Sequence, residues 1–102
     1  MICFHAQQCV EKYLKALLAS RDIKNPRSHD LTELVGLLPA SFRPRISMNR
    51  LARLNPYAVE SRYPSPGKPE TRQEALQALK TASKVRQEAL RMLGVRKRQD
   101  PE

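Results

Sequence analysis

The stretch FHAQQCVEKYLKALL, residues 4–18, decides the fold. Ala6, Cys9, Val10, Tyr13, Leu14, Leu17 and Leu18, with Ile2 before them, recur at spacings of three and four, so they form one wide apolar stripe on a helix. Gln7, Gln8, Glu11, Lys12 and Lys15 fall largely opposite, on the face expected to meet water. His5, Cys9, Glu11, Lys12 and Lys15 in one helix raise the question of a reactive site. Asn25-Pro26 disfavours helical backbone, which predicts an end to this helix near Asp22.

Outward from that helix the same period returns. In SHDLTELVGLLP, residues 28–39, Asp30 is placed to cap a helix, with Glu33 reaching back to complete a capping box. Leu31, Leu34, Val35 and Leu38 form its apolar side, and Pro39 stops it. Met48, Leu51 and Leu54 predict a further helix, after which Asn55-Pro56 either caps a new turn or kinks a continuing one. RYPSPGKPE, residues 62–70, reads as an exposed connection. Thr71 with Glu74 then opens the longest helix, along which Ala75, Leu76, Leu79, Ala82, Val85, Ala89, Leu90 and Leu93 recur up to Gly94. No segment alternates with the period of a strand. The expectation is an all-α, up-and-down antiparallel bundle over residues 1–94, with 95–102 a basic, disordered tail.

Composition bounds the function. The chain has 102 residues, 40% of them hydrophobic, and no apolar run approaches the roughly 20 residues of a membrane span. Neither is there a secretion signal, so a cytoplasmic location is expected. Two cysteines six apart, Cys3 and Cys9, face different ways on a helix and are expected to stay reduced. His5 and Cys9 could offer a metal two ligands, but a structural zinc takes a full tetrahedral set, so neither metal nor cofactor is expected. The net charge of +9 favours polyanions or an acidic partner. It is unevenly spread: no acidic residue lies between Glu33 and Glu60, a gap holding Arg43, Arg45, Arg50 and Arg53.

Four blocks in order, FHAQQCVEKYLKALL, SHDLTELV, YAVESRYP and TRQEALQALKTASKV, resemble those of HEPN domain proteins. The resemblance implies a helical bundle that dimerises, encoded beside a minimal nucleotidyltransferase, the pair acting as toxin and antitoxin and the HEPN member binding RNA or nucleotide. It also implies an alternative, a metal-independent endoribonuclease toxin, in which an Arg precedes a His by about four to six residues. His and Arg suit that chemistry, one moving a proton at a 2′-hydroxyl and the other stabilising phosphate charge. This chain departs from the motif. No Arg precedes His5; before His29, Arg27 is too close and Arg21 too far. Family members also carry a helix before the first block, so either that helix is missing from this piece or a partner subunit covers the exposed stripe.

The residues singled out follow from both readings. His29 is a loop anchor beside the Asp30 cap or an RNA contact, and with Arg62 it is a weak candidate for catalysis. Arg62 beside Tyr63 suits a phosphate-and-base contact, or a hinge before Pro64. His5, Lys12 and Lys15 are candidates for nucleotide or RNA binding, near a shared cleft if the resemblance extends to the dimer.

Overall fold

The computed structural model describes residues 2–24, 26–58 and 70–94. In chain order they form α1 (Ile2–Ser20), α2 (Leu31–Gly36), α3 (Met48–Leu54), a 3-10 turn (Asn55–Ala58) and α4 (Arg72–Met92). Among the described residues there is no strand, and no helix is long and apolar enough to cross a membrane. The all-helical expectation holds. The basic tail from residue 95 lies outside the described residues.

Local chemistry sets the ends of these helices. α1 stops at Ser20, slightly short of the sequence expectation. Asp22 takes a left-handed φ of 58°, and the Ile23 and Asp22 N–H groups turn back to the Leu18 and Ala19 carbonyls at 2.9 and 3.0 Å. That pattern is a Schellman close, with aspartate where glycine is usual. At α2, Asp30 Oδ1 accepts from the Thr32 and Glu33 N–H groups. The return arm differs from a capping box: Glu33 accepts from the Ser28 hydroxyl at 2.6 Å, and Ser28 Oγ accepts from the Asp30 N–H. At α4 the full reciprocal box of Thr71 and Glu74 is present, and Gly94 takes φ 76° just past the helix.

The alternatives at Asn55-Pro56 resolve into one. Asn55 stays helical, and the chain tightens into the 3-10 turn without a break. Its side chain does not cap its own turn. It accepts from the Leu31 N–H at 2.9 Å and donates to Asp30 Oδ1 at 2.9 Å, tying the end of α3 to the start of α2.

Contacts fix the directions. Glu70, just before α4, accepts from the Ile2 and Cys3 N–H groups at 3.0 Å each, so α1 and α4 start together. α3 starts near the far end of α4, where Glu88 meets Arg45, and runs back antiparallel to it. Between them lies a leucine core: Leu14, Leu17, Leu18, Leu31, Leu34, Leu38 and Leu51 are all buried. α4 contributes small residues, Ala75, Ala78, Ala82, Val85 and Ala89. Leu76 and Leu79, expected in the core, are 49% and 50% exposed. Two apolar seams run along this helix, and the narrow space beside α1 admits the alanine seam.

Removing the Asn55 side chain leaves a helix-starting N–H without its acceptor. Asn55→Ala should cost about 1–2 kcal/mol in urea unfolding, while the exposed Asn49→Ala stays within about 0.5 kcal/mol. Asp22→Gly, which relieves the left-handed aspartate, should stabilise by about 0.5–1 kcal/mol in the same measurement.

Candidate functional site

The polar side of α1 is not all wet. Gln7 is completely buried and Glu11 only 7% exposed, because the loop before α2 folds over them. Glu11 accepts from Lys15 Nζ at 2.9 Å, Gln7 Nε2 at 3.3 Å and His29 Nδ1 at 2.9 Å. Gln7 Nε2 also donates to the His29 carbonyl at 3.2 Å, and Gln8 donates to Gln7 Oε1. A carboxylate only accepts, so His29 Nδ1 carries the hydrogen of that bond and the free nitrogen of the ring is Nε2. The His29 side chain is 60% exposed. This is the geometry by which a carboxylate orients a proton-transferring imidazole.

Burial alone would push the Glu11 carboxyl up, but the hydrogen bonds from Lys15, His29 and Gln7 outweigh it and hold the group below its ordinary value of 4.5. A carboxyl depressed in the folded state adds stability that is full above 4.5 and is lost as pH falls through the lower folded value. Acid unfolding of the parent should therefore steepen below that pH. Glu11→Gln should flatten that limb and cost about 1–3 kcal/mol at neutral pH in urea titrations.

The other expected residues are placed as follows. Lys15 belongs to the Glu11 cluster, whereas His5 and Lys12 lie further round α1 on its exposed face. His5 packs edge-on to Phe4, ring centroids 5.3 Å apart. Arg62 and Tyr63 lie outside the described residues. Arg21 turns to the far end of α1, its guanidinium 4.2 Å over the Phe42 ring. Cys3 is a buried free thiol pushed up to about 11, by burial first of all, and Cys9 is half-buried against the core. Among the described residues no three His, Cys, Asp or Glu side chains gather as a metal site.

A concavity of about 270 Å³ opens between α3 and α4. Arg50 and Arg53 come to it from α3, Tyr57 from the 3-10 turn, and Gln73, Gln77 and Thr81 from α4. Arg50 Nε donates to Thr81 Oγ1 at 3.3 Å, which steers its guanidinium along the cleft. Leu54 and Ala78 add an apolar wall. Thr71 and Glu74 also line it, bonded to each other in the α4 capping box, and the two arginines, amides, Thr81 hydroxyl and aromatic ring that remain suit a phosphate attached to a planar base. The acidic-free gap in the sequence pointed to Arg50 and Arg53. Nothing in it pointed to Gln73, Gln77 or Thr81, which join the cleft only through the rotation of α4. None of Gln7, Glu11, Lys15 and His29 lines it.

Comparison with known proteins gives one match: the model of the HEPN domain fits residues 1–93. No curated protein and no solved structure matches the chain. The match spans α1 to α4, and by it the chain belongs to the HEPN domain family.

Proposed function

We propose that the chain is the HEPN member of a nucleotidyltransferase/HEPN pair of the toxin–antitoxin type, working in the cytoplasm as an oligomer that binds RNA or nucleotide through a basic cleft. The α3–α4 cleft carries this reading, because Arg50 and Arg53 stand over an apolar wall with amide groups within the same pocket. Family membership supports a nucleotide- or RNA-related role. The oligomer is supported by Leu76 and Leu79, two large apolar side chains half exposed on one face of α4, which a second copy would cover.

A second reading is the metal-independent endoribonuclease. It is favoured by the Glu11–His29 pair, since an imidazole oriented by a buried carboxylate can take a proton from a 2′-hydroxyl. His29 is the residue of that reading, with Lys15 as a nearby positive charge.

Fluorescence polarisation with labelled RNA and with labelled nucleotide separates these readings. The parent should bind, weakening as salt rises, and Arg50→Gln with Arg53→Gln should weaken binding at least about tenfold. Absence of binding to either probe overturns the cleft reading. RNA cut by the protein alone, and left uncut by His29→Ala with binding intact, establishes the ribonuclease. Leu76→Asp with Leu79→Asp should lower the mass seen by sedimentation without loss of helix content, and co-purification with an adjacent nucleotidyltransferase checks the pairing.

A further inference from the structure

The Arg50–Arg53 cleft is one of two basic concavities that lie along α4. Thr81 meets Arg50, and seven residues on, Glu88 accepts from the Arg45 backbone N–H at 2.9 Å. The chain leading into α3 therefore accompanies α4 beyond the first cleft. There a second concavity of about 330 Å³ opens, lined by Ser41, Phe42, Arg43, Arg45, Arg91 and Met92. Gln77, Lys84 and Arg91 recur at seven-residue intervals and so share one face of α4. Gln77 lines the first concavity, Arg91 the second, and Lys84 stands between them. At 1.5 Å per residue, Gln77 and Arg91 are about 21 Å apart.

The two ends differ in chemistry. The first has the apolar wall of Leu54, Tyr57 and Ala78, wide enough to face a base. The second is dominated by guanidinium groups. Arg43 is fixed there by donating to the Leu38 and Gly36 carbonyls at the end of α2, at 2.9 and 3.2 Å. Phe42 is covered on one face by Arg21. Glu88, buried beneath, takes Arg91 Nη2 at 2.9 Å and lies 3.8 Å from Lys84, which pins both cations at the groove. Arg91 and Lys84 keep side-chain exposures of 52% and 38%. The Arg45 side chain makes no hydrogen bond or ion pair among the described contacts.

We propose that the α3–α4 groove is a track for an unpaired RNA strand, which seats a base at Arg50 and Arg53 and carries its phosphodiesters past Lys84 to a phosphate subsite at Arg45 and Arg91. This rests on the cleft reading above and extends it from a nucleotide to a strand. An unpaired strand can turn a base into the apolar-walled end while its backbone follows the cations. A duplex keeps its bases stacked inside and offers the first cleft nothing to hold. A lone nucleotide leaves the second cluster without an occupant.

The test compares a labelled RNA of about eight nucleotides, its duplex and a labelled mononucleotide, each across a salt series. The strand should bind at least about tenfold tighter than the mononucleotide, with the logarithmic salt slope steeper by about 0.7 for each further phosphate engaged. Arg45→Gln with Arg91→Gln should bring the strand-to-mononucleotide affinity ratio towards one, with helix content and urea midpoint as folding controls. Arg45→Gln alone gives the same direction if the pair folds poorly. A ratio near one in the parent, a ratio unmoved in the variant, or a duplex bound as well as the strand overturns the track. Mononucleotide binding without the strand advantage removes the track and leaves the cleft reading standing, while no binding of any probe removes both.

Discussion

The packing of α4's alanine seam against α1 constrains everything else in this chain. Ala75, Ala78, Ala82, Val85 and Ala89 present one narrow ridge, and its burial fixes the rotation of the helix about its axis. A helix turns about 100° per residue, so fixing one face fixes all of them. Leu76 and Leu79 must then look outward, and Gln77 and Thr81 must line the cleft beside α3. Had the leucine seam packed instead, the amides of the cleft would have moved to another side. Small residues give up transfer energy, about 0.8 kcal/mol for each methylene not buried, but let two helix backbones lie close. The large leucines of α1, α2 and α3 supply the missing bulk.

Two buried carboxylates show how this chain uses polarity inside a small core. Glu11 is surrounded by Lys15, Gln7 and His29, and Glu88 by Arg91, Lys84 and the Arg45 N–H. A carboxylate taken from water is costly unless every lone pair finds a donor. Both are largely satisfied, and in each case the donors come from more than one segment. Glu11 therefore locks the loop carrying His29 onto α1, and Glu88 locks the approach to α3 onto α4. The same bonds orient cations and an imidazole toward solvent.

Electrostatics and shape then divide the surface. Within the acidic-free run, Arg50 and Arg53 face one concavity and Arg43 and Arg45 another. Helix α1 carries His5 and Lys12 on its exposed face, and neither lines those concavities. In general, net charge of one sign draws polyanions over distance, and converging charges hold them.

The sequence by itself determined the helices and the family. Period, caps and breakers are local properties, so α1, the Asp30 and Thr71 caps and the Gly94 close could be read from neighbouring residues, while α2 ends at Gly36, short of Pro39. Four ordered blocks were enough to mark a HEPN domain. What only the tertiary structure decided depends on residues far apart in the chain. Glu11 and Gln7 looked solvated because nothing local shows that residue 29 returns to cover them. Asn55 looked like a cap for its own turn, yet its amide serves residues 30 and 31. Ala75 and Leu76 are neighbouring apolar residues, and only the space beside α1 selects the smaller for burial. Thr81 joins Arg50 because two helices cross, a relation that no local period contains.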